Sequence, residues 1–246
     1  MKFLVGIDDT DIKGSRGTGF KSRMLAQIVS QSGAGNVLSI SRHQLLIDPK
    51  IPYTSQNSSA CLEIVTTCFD ELKSLCIDYL MNESEEGSDT GLCISSLKDV
   101  TPKMIQWGNH AKKYVLEKDI ALEVIKDSNA FLLGLKGSHS GIIGALAAVG
   151  LRAGGNDGRI IWLKGEKNLR ELKGIYLISE LKKIIPVDGI IDKNGRKVNH
   201  ECQIKLGNWI RPVIRGGKKY IIAEEVTNNE SYEWESAHKD FVRSVS

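Results

Sequence analysis

The sequence has no long apolar run. Its longest apolar stretch, Gly141–Leu151, contains several glycines and alanines and has only about half the length of the roughly 20 residues that a membrane-spanning helix needs. The apolar run at the N-terminus stops at Asp8, Asp9 and Asp11, which excludes the apolar core of a signal peptide. We therefore expect a cytoplasmic protein without a membrane partner.

Several motifs that identify a class of protein are also missing. The chain contains neither a helical zinc-protease motif nor a nucleophile-elbow serine, which disfavours hydrolases. The net charge of +3, from 33 basic and 30 acidic residues, is too small to indicate a nucleic-acid partner. No cysteine pair has the CxxC spacing of structural zinc, so we interpret four cysteines as buried small side chains: Cys61, Cys68, Cys76 and Cys93.

The apolar spacing predicts an α+β fold in one or two domains. A buried strand at 2–7 leads through a turn-rich segment into a helix that begins near Phe20. Further strands are expected near 37–41 and at 61–66, 91–95, 121–125, 131–135 and 159–163, and helices at 69–81, 102–116 and 179–185. Turns are expected at 194–195 and 216–217, and a frayed polar tail after Glu225. This alternation favours two interleaved modules.

Three carboxylates follow the first predicted strand within four residues: Asp8, Asp9 and Asp11. Like charges this close repel each other unless a cation or hydrogen-bond donors compensate them. Because Mg²⁺ binds through one or two carboxylates together with substrate phosphates, the cluster predicts a metal–nucleotide site that uses all three aspartates. The alternative is a solvated turn in which an aspartate caps the next helix.

Glycines follow the acidic run at the start of the predicted helix. Gly14, Gly17 and Gly19 with Lys21 and Ser22 almost form a phosphate-binding loop, but Phe20 separates the glycine from the lysine. Backbone amides at a helix start bind phosphate, although a plain flexible loop also explains the glycines. The predicted residues of this segment are Thr10, Gly17, Thr18, Gly19 and Ser22 for nucleotide binding and Lys21 for catalysis.

A second segment, Gly137–Gly144, has the same character: glycines, two serine hydroxyls and one histidine at a predicted helix start. Glycine permits close approach to phosphate there, whereas the small residues also suit tight helix packing. The predicted nucleotide-binding residues are Gly137, Ser138, His139, Ser140, Gly141 and Gly144. A proline-containing loop after the second strand supplies candidates for a second substrate: Arg42, His43, Tyr53 and Asn57.

Together with Ser15-Arg16-Gly17, the run Gly6–Asp11 resembles the opening of the archaeal agmatinylcytidine synthetase family, which modifies the wobble cytidine of an isoleucine tRNA. Two further blocks match in the same order. They are Arg42 with Asp48-Pro49, Ile51–Thr54 and Asn57, and the glycine–alanine block Gly141–Gly150.

The resemblance covers residues 1–195 and implies an ATP-binding, kinase-like domain formed by residues 1–60 and 130–195. It implies a ferredoxin-like domain at 61–129, which leaves 196–246 as a β-hairpin extension and polar tail. It also implies Mg²⁺ and ATP at the aspartates, with the Gly137–Gly144 segment holding phosphate.

The sequence departs from this family at the residues that perform its chemistry. The family's phosphoryl-transfer threonine aligns with Phe20, and Thr18 or Ser22 takes its place only if the loop shifts. The chain also ends before an oligonucleotide-binding barrel or zinc ribbon, the modules that grip tRNA in the family. We therefore expect a shorter paralogue that acts on another substrate.

The leading hypothesis is an Mg²⁺- and ATP-dependent transferase or ligase that activates a second, unidentified substrate. The first alternative is a tRNA-modifying ligase that works with a partner or as a homodimer, using basic residues near the last hairpin: Lys205, Arg211, Arg215, Lys218 and Lys219. The second alternative is a nucleotide-binding sensor without catalysis. RNA is thus a possible but not a favoured partner.

Overall fold

The computed structural model describes residues 1–54, 56–165, 169, 171–227 and 231–246. They form two compact units, Met1–Gly154 (unit 1) and Gly155–Ser246 (unit 2). Both contain strands and helices, so the predicted α+β class is confirmed. No helix in the described part of the chain is long and apolar enough to cross a bilayer.

Unit 1 is an antiparallel sheet with helices packed against it. Its strands are β1 (Lys2–Asp8), β2 (Asn36–Gln44), β3 (Ser58–Val65), β4 (Gly91–Ser96) and β5 (Phe131–Gly134). Its helices are α1 (Thr18–Ser32), α2 (Phe69–Glu83), α3 (Pro102–Ala111), α4 (Lys118–Ile125) and α5 (Ile142–Gly154), with a 3₁₀ turn at Leu97–Asp99. The strand order is β5–β4–β1–β3–β2, so β1 lies at the centre.

The alternation of side chains along β1 decides what each face of the sheet contacts. Leu4 packs in the core cluster that includes most of α5, and a Cβ on Gly6 would lie 2.1 Å from the carbonyl oxygen of Ala145 in α5. Phe3 points to the opposite face and stacks on Phe69 of α2, with ring centroids 5.4 Å apart. Because side chains alternate with period two, Asp8 lies on the α5 face, together with Leu4 and Gly6.

A buried ion pair fastens α5 to β3. Arg152 of α5 donates to the Glu63 carboxylate, which also accepts from Lys2 Nζ at 2.8 Å and from Ser39 Oγ at 3.0 Å. Burial raises the pKa of Glu63, but Arg152 and Lys2 outweigh this effect and lower it to about 2. The Glu63 carboxylate is therefore ionised at neutral pH, and its hydrogen bonds compensate part of the cost of burying its charge.

Unit 2 is a smaller mixed sheet with two short helices. Its strands are β6 (Arg159–Leu163), β7 (Gly174–Leu177), β8 (Gly189–Asp192), β9 (Gln203–Leu206), β10 (Val213–Arg215), β11 (Lys218–Glu225) and β12 (Trp234–Ser236), and its helices are α6 (Ile178–Ile184) and α7 (Lys239–Ser244). The order is β6–β10–β11–β12–β9–β7, and β8 pairs with β11 in parallel. The predicted turn at Gly216–Gly217 joins β10 to β11.

Most predicted elements of unit 1 are present, and Thr101 caps α3 by accepting from the amide of Met104 at 3.3 Å. The predicted strand at 121–125 is wrong, because these residues form helix α4. Ala121 is completely buried, and Val124 and Ile125 pack against the same core cluster, which is the i, i+3, i+4 spacing of a helix. The preceding helix also ends earlier than predicted, at Ala111.

Two other expectations need correction. The tail after Glu225 contains β12 and α7, with Val242 buried against Val213 and Tyr220 in a core cluster. Of the four cysteines expected to be buried, Cys61, Cys76 and Cys93 are, but Cys68 is exposed at the N-cap of α2.

The division into units differs from the domain boundaries expected from the sequence. The boundary at 60/61 lies within β3, and the boundary at 195/196 lies in the turn that follows β8 inside unit 2. Hydrogen bonds join β3 and β4, from the segment expected to be ferredoxin-like, to β1, from the segment expected to be kinase-like. The two domain types themselves stay predictions.

Helices α3 and α5 cross at contacting glycines. A Cβ on Gly150 would lie 2.0 Å from the carbonyl oxygen of Met104, whereas one on Gly154 would meet only a side-chain methyl group of Ile105, at 3.2 Å. We expect Gly150→Ala to destabilise unit 1 by about 1–3 kcal/mol through overpacking. Gly154→Ala should change stability by less than about 0.5 kcal/mol. Chemical denaturation of both variants checks this; equal effects would contradict the close crossing.

Candidate functional site

The acidic turn lies where β1 meets the start of α5. Asp8, the last residue of β1, points towards α5, and a Cβ on Gly144 would lie 1.8 Å from Asp8 Oδ2. Any side chain at position 144 would therefore displace the Asp8 carboxylate. The next residue, Asp9, has a left-handed backbone with φ 52°, which is unfavourable for a residue other than glycine. The positions of the Asp8 and Asp9 side chains thus depend on the small residue at position 144 and on the left-handed backbone at position 9.

A cleft of about 340 Å³ opens at this turn. One part of its lining is acidic, with Asp8, Asp9, Asp11 and Asp89. The second part is largely apolar and aromatic, from the loop after β2 and the end of α3: Leu45, Ile51, Pro52, Tyr53, Ala111, Tyr114, Val115 and Leu116. The remaining lining includes Thr18, Lys50, Thr54, Gln56, Asn57, Ser58, Ser138, Ser140, Gly141, Ile143 and Gly144.

Burial makes the Asp8 and Asp9 carboxylates hard to ionise. Desolvation, then repulsion by Asp9 and Asp11, raises the pKa of Asp8 to about 8, although Arg42 acts in the opposite direction. Desolvation, then repulsion by Asp89 and Asp11, raises the pKa of Asp9 to about 6. A cation in the cleft would reverse this effect, because an opposite charge favours the ionised carboxylate.

Asp11 is held differently, by hydrogen bonds to neighbouring elements. Its Oδ1 accepts from the amide and the hydroxyl of Thr18, both at 3.0 Å, and its Oδ2 accepts from Thr54 Oγ1 at 2.8 Å. Asp11 therefore caps the start of α1, as the alternative interpretation of the acidic run proposed, and ties the loop after β2 to the acidic turn.

The loop before α5 is arranged around a fourth carboxylate. Asp89 accepts from the amide of Ser138 and from Ser140 Oγ, the latter at 3.3 Å. Gly137 and His139 have left-handed φ values of 60° and 66° in this loop. Two backbone amides expected to bind phosphate, those of Thr18 and Ser138, thus donate to carboxylates of the protein itself.

The structure brings many predicted site residues into the cleft lining. They are Asp8, Asp9, Asp11, Thr18, Tyr53, Asn57, Ser138, Ser140, Gly141 and Gly144. The other predicted residues lie outside the lining: Thr10, Gly17, Gly19, Lys21, Ser22, Arg42, His43, Gly137 and His139.

Several of the predicted site residues outside the cleft lining form hydrogen bonds or ion pairs elsewhere in the protein. Lys21 Nζ donates to the carbonyl oxygen of Glu83 and forms an ion pair with Glu85 at 2.9 Å. His43 is completely buried and its Nε2 lies 2.8 Å from Ser41 Oγ. Arg42 Nε donates to Ser58 Oγ at 2.8 Å, next to the cleft.

Thr18 and Ser22 are the two residues that could replace the phosphoryl-transfer threonine of the family that the sequence resembles, and Phe20 is the residue that aligns with it. Phe20 carries the guanidinium of Arg16 over its ring, 4.4 Å from the centroid. Ser22 is completely buried and donates to the carbonyl oxygen of Gly19. Of the two substitutes considered, only Thr18 lines the cleft.

Asp89 is the main residue that sequence reasoning missed. It precedes β4, and the register that pairs Asp8 with Gly91 brings it beside the acidic turn. The polar run Ser88-Asp89-Thr90-Gly91 before a predicted strand was the available signal. Lys50, Thr54 and Tyr114 also line the cleft, and they come from loops whose path only tertiary contacts decide.

The predicted three-aspartate metal site is not present as a self-sufficient cluster. Among the described residues, no group of three Asp, Glu, His or Cys side chains is placed to hold a metal ion. Mg²⁺ bound with a nucleotide needs only one or two carboxylates, the remaining ligands being phosphate and water. Asp8 and Asp9, whose burial disfavours an uncompensated charge, fit that requirement.

No protein-family model and no curated protein sequence matches the chain, whereas several solved structures do. Over about three fifths of its length, this chain is similar in fold and sequence to tRNA agmatidine synthetase structures, in agreement with the family resemblance in the sequence.

The matching structures include TiaS and a tRNA fluorescent labeling enzyme. TiaS, a tRNA agmatidine synthetase, matches in its apo form with a TM-score of 0.53 and 27% identity, over 61% of this chain and 35% of that chain. Two further structures match over 61% of this chain, each with a TM-score of 0.54 and 27% identity. One is the complex of TiaS with its isoleucine tRNA and ATP, and the other is a tRNA fluorescent labeling enzyme. The matched region is 36% of each of those chains.

The pKa of Asp8 predicts an unusual pH dependence of stability. Because the native pKa is about 8 and the ordinary value is 3.8, the native state holds this proton more tightly than the unfolded state. Without a divalent cation, this residue's contribution to stability is therefore fully present below about pH 4 and is lost as pH rises towards about pH 8. The free energy of unfolding should decline over this range by an amount on the order of a few kcal/mol, and Asp8→Asn should remove that decline.

Denaturation of both proteins in EDTA at several pH values measures the difference. Asp127→Asn, at an exposed residue paired with Lys103 at 3.7 Å, is the matched control and should behave like wild type. Parallel pH profiles for wild type and Asp8→Asn would show that Asp8 is not buried as described.

Proposed function

We propose that the chain binds Mg²⁺–ATP in the acidic cleft and uses it to activate a second substrate. The observation that supports this most is the pair of half-buried residues Asp8 and Asp9. Both line a cleft large enough for a ligand, and desolvation together with neighbouring aspartates raises the pKa of each. The similarity to TiaS in complex with tRNA and ATP supports ATP as the nucleotide.

Asp8 and Asp9 would hold the metal, with Asp8 kept in place by Gly144 and Asp9 by its turn. A bound Mg²⁺ neutralises phosphate charge and orients the phosphates for transfer. Without that ion, the ionised carboxylates of the lining would repel a triphosphate. Lys50 is the one lysine or arginine among the described lining residues, so little positive charge is otherwise available.

The apolar part of the lining suits the base of the nucleotide. Tyr53 and Tyr114 line the cleft and are 45% and 57% exposed, so both side chains are accessible to a ligand. Aromatic faces stack on bases regardless of base identity. Leu45 and Leu116 add apolar surface beside them.

Thr18 is the hydroxyl best placed to accept a phosphoryl group. Its Oγ1 donates to Asp11 Oδ1 at 3.0 Å, so Asp11 can take the proton. Transfer would form a bond between Oγ1 and the γ-phosphorus and break the bond to the bridging oxygen, releasing ADP. Mass spectrometry after incubation with Mg²⁺–ATP would locate such a phosphate, and ADP or AMP in the products would identify the bond that breaks.

A tRNA substrate has less support in this chain. The agmatine and tRNA in the TiaS complexes belong to proteins of which this chain matches about a third. Of the five basic residues expected to form a patch, Arg211 is 7% exposed, Arg215 donates to the carbonyl oxygens of Ile214 and Val245, and Lys205 lies 3.7 Å from Glu235. We therefore propose a substrate other than tRNA.

Substitution of Asp9 tests the proposal. Asp9→Asn keeps the size of the side chain but removes one of two carboxylates that would hold the metal. We expect Mg²⁺-dependent ATP turnover to fall by about 100-fold or more. Asp127→Asn, which makes the same chemical change at an exposed site, should leave turnover unchanged.

Binding and turnover are measured separately, by calorimetry with Mg²⁺–ATP and by a coupled assay for phosphate or AMP. Undiminished turnover in Asp9→Asn would refute the metal assignment. Tight binding of Mg²⁺–ATP by wild type with no turnover on any candidate substrate would favour the sensor instead.

A further inference from the structure

The segment Ser88–Gly91 connects the acidic turn to the loop Gly137–Gly141 (the glycine loop). Thr90 Oγ1 donates to the carbonyl oxygen of Asp9 at 3.1 Å, and Ser88 Oγ lies 2.9 Å from Thr90 Oγ1. On its other side, the carbonyl oxygen of Thr90 accepts from the amide of Leu135 at 2.8 Å, just before the glycine loop. This short segment therefore contacts both parts of the acidic end of the cleft.

Asp89 makes the contacts to the glycine loop itself. Its carboxylate accepts from the amide of Ser138 and from Ser140 Oγ, and its carbonyl oxygen accepts from the amide of Gly141 at 2.9 Å. A hydrogen bond to an ionised acceptor is stronger than one between neutral groups. The two side-chain bonds therefore compensate the charge of Asp89 and fix the loop at the same time.

The hydrogen bonds of Asp89 to the glycine loop also affect the position of the start of α5. Gly141 directly precedes α5, and the first turn of that helix places Gly144 against the Asp8 carboxylate. A shift of the glycine loop would therefore move Gly144 relative to Asp8. Because the glycine loop has left-handed residues at positions 137 and 139, its conformation needs fixed hydrogen-bond partners to persist.

We propose that Asp89 is a positioning residue of the site: it holds the glycine loop in place and thereby sets the start of α5 against Asp8. The consequence for nucleotide binding rests on the proposed function, whereas the hold on the loop does not. Asp89 acts through hydrogen bonds to the loop and is not itself a ligand of the metal.

Two substitutions separate these roles. Asp89→Asn retains an oxygen that accepts from Ser138, whereas Asp89→Ala removes both side-chain bonds. We expect Asp89→Ala to raise amide exchange in the glycine loop by about tenfold or more, the effect of losing a charge-assisted hydrogen bond. Asp89→Asn should keep most of this protection. Asp99→Ala, at the other end of β4, removes a bond to Ser96 and should leave the loop unchanged.

Hydrogen exchange of the ligand-free protein, measured by mass spectrometry, gives the first readout. Calorimetric titration with Mg²⁺–ATP gives the second, in which Asp89→Ala should bind about tenfold more weakly and Asp89→Asn within about threefold of wild type. If Asp89→Ala does not fold, Ser140→Ala provides a milder test, because it removes only the 3.3 Å bond and should raise loop exchange less.

Unchanged loop exchange in Asp89→Ala would overturn the proposal. Equal loss of Mg²⁺-dependent binding in Asp89→Asn and Asp89→Ala would also overturn it, because that pattern identifies a metal ligand. If wild type itself does not bind Mg²⁺–ATP, the proposed function fails, and the exchange data still decide whether Asp89 holds the loop.

Discussion

The contact between α5 and β1 is the constraint on which the site depends. At Gly6 and Gly144 the two elements approach so closely that a single Cβ would overlap the carbonyl oxygen of Ala145 or the carboxylate of Asp8. This approach buries Asp8 at the end of a central strand, where its ionisation is costly without a cation. The Glu63–Arg152 pair fastens the same helix to β3, so the position of α5 is determined along its length.

The acidic end of the cleft combines two kinds of carboxylate. Asp11 and Asp89 are satisfied by donors from the loops that they hold, and their role is to shape the site. Asp8 and Asp9 have raised pKa values because desolvation, and then repulsion by neighbouring aspartates, disfavours their ionised forms. This division explains why a run that reads as one metal-binding cluster supplies both structural anchors and candidate ligands.

Sequence patterning predicted most elements of unit 1 because their apolar residues follow the periods of helices and strands. It failed at residues 121–125, where β-branched and apolar side chains suit a strand but the core contacts of Ala121, Val124 and Ile125 require a helix. The domain boundary at 60/61, which the family resemblance implied, lies inside β3, and the pairing of β3 with β1 joins segments that have no common local signal. The matching motifs nevertheless identified the right structural relatives.

The sequence by itself determined that Asp8, Asp9 and Asp11 lie at and just after the end of a buried strand and that small residues begin a later helix. Period-two alternation and glycine content are local properties, so they can be read from the chain. Tertiary structure alone decided that Asp89 joins them, that Lys21 and His43 are engaged elsewhere, and that Thr18 and Ser138 donate to carboxylates. The bonds of Asp89 to Ser140 and of Lys21 to Glu85 join residues 51 and 64 positions apart, and no local pattern encodes such contacts.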